Sequence, residues 1–262
     1  MCDTQGMKVV ILAGGLGTRL REETDVRPKP MIEVGNHPIL WHIMKTYEKY
    51  GHKEFIVCAG YKGEVIKSWF ANYRILNSDI TVSIAEDVTM KFHSNLEERG
   101  WVTTIADTGP ETMTGGRIKK IQKYVHGETF LCTYGDGLAD VNISRLVDFH
   151  KKHGKIATVT TVKPVSRFGV LDIDKDNKVL SFNEKPQGES SINGGYFIFE
   201  PQIFDYLEDN SVLEDDPLRR LAEAGELMAF HHDGFWQPMD TYRELLILNE
   251  LWNSGKAPWK VW

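Results

Sequence analysis

The sequence is poor in cysteine. Cys2, Cys58 and Cys132 are the only three in 262 residues, and no two stand close together. An odd, sparse set supplies neither a disulfide framework nor a zinc-binding spacing, and it suits a reducing compartment. Long apolar runs are missing as well; none approaches the roughly 18 residues of a membrane helix. There is no excess of positive charge: 31 Lys and Arg stand against 37 Asp and Glu, a formal net charge of −6. That argues against a general nucleic-acid binder, which would be basic, while leaving room for a local basic pocket. The segment 1–6 is polar without a basic start, and the apolar run after it is too short for a signal peptide. The expectation is a cytoplasmic protein with neither a membrane nor a nucleic acid as partner. With 41% hydrophobic residues, the chain can bury a sizeable core.

What is present alternates. Short β-branched runs at 9–13, 55–59, 80–84, 129–134 and 157–162 are separated by helical patterns. Asn36 can cap a helix with Pro38 in its first turn, Ile39, Ile43 and Met44 on one face and Gly51 as its stop. Val65, Trp69 and Phe70 mark a second helix, Ile118, Ile121 and Val125 a third, and Leu146, Val147 and His150 a fourth ending at Gly154. Strands alternating with helices predict an α/β fold, Rossmann-like and doubly wound around a mostly parallel mixed sheet. Beyond about residue 165 short strands take over, at 169–173, 179–183 and 196–199, with Asp176–Asn177 as a turn. Helical patterns return at 202–207, 217–224 and 241–252. The segment 87–112 is the least periodic and reads as a loop or insertion. One domain over 7–262 is expected, with a nucleotide-binding half (7–165), a second half carrying small additional β elements and the C-terminal helix (166–262), and a short extension at 1–6.

The stretch "LAGGLGTRL" breaks an apolar strand into Gly14, Gly15 and Gly17, with Arg19 next and Lys29 ten residues further in "RPKP". Open α/β sheets bind ligands beyond the carboxyl ends of their strands, and glycines there let backbone N–H groups reach a phosphate. A dinucleotide fingerprint starting at Gly15 needs Gly or Ala at position 20, which is Leu20. A Walker A loop needs Gly-Lys-Ser/Thr, yet Gly17 is followed by Thr18 and Arg19. A guanidinium and an ammonium converging on one polyphosphate would offset several negative charges.

The combined string, with "RPKPM", is similar to the signature of the sugar-1-phosphate nucleotidylyltransferases. The resemblance implies a GT-A-like nucleotidyltransferase fold. It implies that the loop Leu12, Ala13, Gly14, Gly15, Gly17 and Thr18 wraps the nucleotide phosphates, with Arg19 and Lys29 on the triphosphate, catalytic together with Asp136. Such chemistry needs positioning and a divalent cation more than covalent participation, and Mg²⁺ prefers one or two carboxylates plus phosphate oxygens and water. Asp136 follows an apolar strand in "TYGDG"; it reads equally as an Asp-Gly turn. Asp240 in "QPMDT" can also cap the last helix. The resemblance implies that Asp136 and Asp240 bind one Mg²⁺ together and that Gly135 lies against the nucleotide.

In "FNEKP", Glu184 and Lys185 would point to opposite faces of a regular strand unless it ended there, which Pro186 favours. The resemblance implies that Glu184 and Lys185 hold the sugar and its phosphate, and that Gly169 of "RFGVL" with Asn193 and Gly194 of "INGGYF" line the sugar pocket. The stretch "DTGPETMTGGRIKKI" resembles the cytidylyl branch of the family. It implies Thr112, Thr114, Gly116 and Arg117 at the nucleotide, with Arg117 and nearby N–H groups as donors to cytosine. The substrates implied are CTP and glucose 1-phosphate, and the product CDP-glucose, a precursor of 3,6-dideoxyhexoses in bacterial surface polysaccharides. A homo-oligomer, hexameric by resemblance, is implied too, with 87–112 as a candidate contact. A relative using dTTP or UTP, or a non-catalytic nucleotide-sugar binder, are the alternatives. His150 with His153 and the pair His231–His232 lack a third zinc ligand at a suitable spacing. Trp252, Trp259 and Trp262 either cap the core or meet a neighbouring subunit.

Overall fold

Strand β1, Val9–Ala13, is buried along its whole length, as a strand covered on both faces of a parallel sheet must be. Its side chains alternate. Val9, Ile11 and Ala13 enter one hydrophobic core, and Val10 and Leu12 enter a second on the opposite face. In the computed structural model, which describes residues 6–84, 88–93, 98, 100–164, 170–173, 175, 178–183 and 190–262, β1 is an inner strand of a seven-stranded sheet. The other strands are β2 (Glu54–Ala59), β3 (Val102–Asp107), β4 (Phe130–Tyr134), β5 (Ala157–Val162), β6 (Ile192–Phe199) and β7 (Leu227–His232), in the order β7-β5-β6-β4-β1-β2-β3. Only β6 runs against its neighbours β4 and β5; the remaining pairs are parallel. One face is covered by the helix Ile39–Lys49 and the C-terminal helix Tyr242–Asn253. The other is covered by Thr114–Lys120, Gln122–Val125 and Asp216–Glu223. This is the expected mostly parallel mixed sheet, wound on both sides. The reversal of β6 brings its first residues, Asn193 and Gly194, to the edge where β1, β2 and β4 end.

Several expectations are corrected. Ile80–Ile84 is a strand, but it forms an antiparallel hairpin with Val88–Phe92 away from the main sheet. The missing sheet strand is β3, inside the stretch read as a loop. Its sequence, VTTIAD, is half polar, as an edge strand allows, and only Ala106 is buried. Asn36 does not cap a helix. It sits in a turn between Glu33–Val34 and His37–Pro38, and the helix starts at Ile39 with no side-chain cap. The pattern at 202–207 is a short 3₁₀ turn, Pro201–Asp205. The hairpin Val170–Ile173 with Val179–Asn183 is present, while its expected turn at 176–177 lies outside the described residues. No helix among them is long and apolar enough to cross a membrane.

The C-terminal tryptophans cap the core of the same chain. Trp259 is fully buried, its Nε1 donates to His42 Nδ1 at 3.4 Å, and Trp252 meets the His42 ring edge-on at 4.5 Å between centroids. His42 Nε2 lies 2.8 Å from the Val34 carbonyl, so the neutral ring satisfies both nitrogens. Burial lowers the His42 pKa from the usual 6.5 to about 4. The unfolded chain therefore takes up a proton near pH 6.5 that the folded chain refuses until about pH 4. The stabilising contribution is complete above pH 6.5 and is lost as pH falls through that window, reaching roughly 3 kcal/mol. Burial also lowers the pKa of His52 and His150. Thermal melts by circular dichroism should be flat from pH 8 to 7 and drop steadily from pH 6.5 to 5, with a smaller drop for His42→Gln.

Candidate active site

The three glycines of the turn after β1 serve three different needs. Gly17 has φ +64°, the left-handed region that suits glycine, and its carbonyl accepts from Leu20 N at 2.9 Å to start a 3₁₀ turn. Gly14 is small because Arg117 lies on it: a Cβ there would stand 2.0 Å from Nη1. Gly15 faces open space. It lines a cavity of about 370 Å³ together with Leu12, Ala13, Gly14, Gly17, Thr18, Arg19, Lys29, Thr112, Thr114, Arg117, Gly135, Asp136 and Asp240.

The charged groups meet at one end of this cavity. Lys29 Nζ donates to Asp136 Oδ2 and to Asp240 Oδ1, both at 2.7 Å, and Arg19 Nη1 donates to Asp240 Oδ2 at 3.0 Å. Burial lowers the Lys29 pKa, but the two carboxylates outweigh it and the net shift is upward, so the ammonium stays charged at neutral pH. Asp136 follows the end of β4. Asp240 follows the short strand Trp236–Pro238, which pairs with Gly137–Ala139 and so ties the two segments, helped by the bond from Met239 N to Asp136 O at 2.8 Å. The C-terminal helix is capped by Thr241, whose side chain and that of Glu244 form a reciprocal capping box. Its Glu244 carboxylate also accepts from Asp240 N at 2.7 Å. The reading of Asp240 as the cap is therefore corrected, and its carboxylate is turned to the cavity instead. Among the described residues no group of three or more His, Cys, Asp or Glu could hold a metal. The Asp136–Asp240 pair, already sharing one cation, offers the hard oxygens that suit Mg²⁺ when phosphate and water complete its shell.

Arg117 lines the first cavity and is only 4% exposed. Its Nη1 donates to Thr108 Oγ1 at 2.6 Å and Gly109 O at 2.8 Å, and its Nη2 to Gly14 O at 2.9 Å and Pro110 O at 3.3 Å. Both terminal nitrogens are directed at protein acceptors. Arg117 clamps the glycine turn to the loop after β3 and offers the cavity a wall. Gly116 does not reach the cavity wall; its N–H donates to Ser211 O at 3.0 Å, and a Cβ would stand 2.2 Å from Asp209 O. Thr112 Oγ1 donates to Thr108 O at 2.6 Å and Thr114 Oγ1 to Glu214 Oε2 at 2.6 Å.

A second cavity of about 310 Å³ adjoins the first and shares Tyr134, Asp136 and Asp240 with it. Asn193 and Gly194 line it, as expected, beside Trp236, whose Nε1 donates to Gly194 O at 2.8 Å. Gly169, Glu184 and Lys185 lie outside the described residues. Tyr134, Glu214 and Trp236 were not singled out from the sequence. Tyr134 had a signal: it is the last residue of β4, directly before the Gly135–Asp136 turn.

A turn at a strand end, two basic side chains and two carboxylates around paired cavities make a site for joining phosphates, and the chain belongs to the nucleotidyl transferase family, whose model matches residues 8–249. It is 55% identical to glucose-1-phosphate cytidylyltransferase of Salmonella typhimurium, over 98% of this chain and all of that one. It is 45% identical to a probable glucose-1-phosphate cytidylyltransferase of Bacillus subtilis, over 98% of this chain and all of that one. The crystal structure of HddC from Yersinia pseudotuberculosis superposes with a TM-score of 0.69 at 26% identity, covering 94% of this chain and all of that one.

Proposed function

We propose that the chain transfers the cytidylyl group of CTP to α-D-glucose 1-phosphate, giving CDP-glucose and pyrophosphate. The observation that carries this reading is the meeting of Lys29, Asp136 and Asp240 where the two cavities join, on a chain 55% identical over nearly its whole length to a glucose-1-phosphate cytidylyltransferase. The nucleotide lies along the glycine turn in the first cavity and the sugar phosphate enters the second, beside Asn193 and Gly194. A phosphate oxygen of the sugar phosphate attacks the α-phosphorus as the bond to the bridging oxygen of pyrophosphate breaks. The attacking oxygen is already ionised, so no general base is required. Mutual repulsion of two anions is the chief barrier to approach, and Lys29 and Arg19 with the turn's N–H groups offset it by positioning and charge. Asp136 and Asp240 would hold Mg²⁺, which when bound neutralises charge developing on the phosphates. Gly169, Glu184 and Lys185 belong to the sugar-phosphate side in this reading.

The enzyme would work in the cytoplasm, in keeping with its unpaired buried cysteines 58 and 132, and supply CDP-glucose for dideoxyhexoses of surface polysaccharide. It would act as a homo-oligomer, a hexamer by resemblance. The exposed apolar residues Ile84, Val88 and Met90 of the outlying hairpin suit such a contact.

The test is pyrophosphate release from glucose 1-phosphate with each of CTP, UTP, dTTP, ATP and GTP. CTP should exceed the others in kcat/KM by at least about a hundredfold, the range of a site that pairs a base's polar edge. Equal use of UTP or dTTP would overturn the assignment of the base, and release with none of them would overturn the reaction.

A further inference from the structure

Tyr134 lines both cavities, and its phenol is held by one group outside them, Glu214, and one in the second, Asn193. The hydroxyl donates to Glu214 Oε1 and accepts from Asn193 Nδ2 at 3.0 Å. The other carboxylate oxygen of Glu214 accepts from Thr114 Oγ1 at 2.6 Å, and Thr114 Oγ1 in turn accepts from Leu213 N at 2.9 Å. One carboxylate thus touches a residue of the nucleotide cavity, Thr114, and a residue common to both, Tyr134, whose phenol carries on to Asn193 of the sugar cavity. The ring of Tyr134 has room to stand there because Gly195, at φ +81°, has no side chain. A Cβ would lie 2.5 Å from Tyr134 Cδ2. The ring also meets Phe197 edge-on at 5.7 Å. These contacts hold the ring, and the hydrogen bonds hold its hydroxyl.

We infer that Glu214 is a positioning residue for the transfer, a brace that fixes Tyr134 and through it Asn193, so setting the separation between the bound nucleotide and the sugar phosphate. The inference rests on the assignment of the two cavities to the two substrates made above. Glu214 touches neither cavity itself; it comes from the loop before the helix Asp216–Glu223. That loop is anchored to the nucleotide wall by two bonds that do not use the carboxylate: the backbone bond from Gly116 N to Ser211 O at 3.0 Å and the bond from Leu213 N to the Thr114 hydroxyl oxygen at 2.9 Å. Loss of the carboxylate therefore leaves the nucleotide wall standing and frees the Tyr134 phenol, so that Asn193, held at Oδ1 by Gly195 N at 2.8 Å, loses the fixed partner of its Nδ2. The consequence falls on alignment of the reacting atoms, where displacements of about 1 Å cost up to a hundredfold in rate.

The test compares wild type, Glu214→Ala, Glu214→Gln, Tyr134→Phe and the Glu214→Ala/Tyr134→Phe double variant in the full chain. Measured are steady-state kinetics, calorimetric binding of CTP alone and thermal midpoints. Glu214→Ala should bind CTP within about twofold of wild type while kcat falls roughly tenfold, the effect of lost bonds to a charged group. Glu214→Gln, whose amide oxygen still accepts from the phenol, should recover most of kcat. The double variant should be no worse than Tyr134→Phe, because both changes cut the same chain of bonds. A wild-type kcat in Glu214→Ala, a defect confined to CTP affinity, or additive losses in the double variant would each overturn the inference. If Glu214→Ala does not fold, the Glu214→Gln and Tyr134→Phe kinetics decide alone: the first near wild type and the second impaired, or the brace is absent. A wild-type protein that fails to turn over CTP and glucose 1-phosphate would instead overturn the reading of the cavities.

Discussion

Asp136→Asn should lower kcat by two to three orders of magnitude while the protein stays folded. Asparagine keeps the volume of aspartate and an oxygen that can still accept from Lys29 Nζ, now 2.7 Å away. What disappears is one negative charge at the junction of the two cavities. The pair Asp136 and Asp240 carries two negative charges against the ammonium of Lys29 and the guanidinium of Arg19, so the site balances before any substrate arrives. With Asn at 136 it would be net positive and a poor holder of a divalent cation, which favours carboxylates. A loss of 3–4 kcal/mol of transition-state stabilisation, the order found when one preorganised polar group is removed, corresponds to that fall in rate. The Mg²⁺ concentration giving half-maximal activity should rise in parallel. The thermal midpoint should move by only a few degrees, because the side chain is one-third exposed and Asp240 still partners Lys29. Near-normal kcat in a folded Asp136→Asn would remove both acids from the proposed chemistry. Asp240→Asn should be impaired in the same sense, with the helix cap intact, since Thr241 and Glu244 supply it.

How much of this was visible in the sequence depends on whether a residue's partner is local. The strands 9–13 and 130–134 announce themselves because burial on both faces makes them almost wholly apolar runs, broken only by Thr133 in the second. The helix Ile143–His153 was legible at its end, where Gly154 at φ +64° closes it; its start, capped by the Asn142 side chain accepting from Arg145 N, was not read. The edge strand β3 was hidden because one exposed side lets it be polar, and the strand at 80–84 was misplaced because alternation shows a strand without naming its partner. The phosphate turn and its cations were legible as a local string, and resemblance supplied the two aspartates as a pair. That Lys29 joins them is a tertiary fact spanning more than 200 residues. Tyr134 and Glu214, 80 residues apart, leave no local trace of their meeting.

Arg117 shows most clearly how tertiary contacts add a role that a local string does not display, and its replacement should have the second large effect. If its guanidinium read the cytosine edge, Arg117→Met would relax discrimination between CTP and UTP and leave the fold alone. The structure predicts the reverse. The carbonyls of Gly109 and Pro110 would lose the donors that Arg117 supplies at 2.8 and 3.3 Å, and Gly14 O would lose one at 2.9 Å. Gly109 is half-buried and Pro110 exposed, so water can replace part of what the guanidinium supplied there, and the buried Gly14 O keeps a bond from Tyr61 N at 3.2 Å. The total should be about 1–3 kcal/mol, or roughly 5 °C in thermal midpoint for a chain of this size. The glycine turn would also lose its tie to the loop after β3, so kcat/KM should fall by a similar factor for every nucleotide, with the ratio of CTP to UTP unchanged. Arg117→Lys should recover little of the stability, since one ammonium cannot reproduce a planar fork spread over Thr108, Gly109, Pro110 and Gly14. Melting curves and a CTP/UTP kinetic ratio on the two variants separate the outcomes: a lower midpoint with an unchanged ratio supports the clamp, and an unchanged midpoint with a collapsed ratio would restore Arg117 to the base.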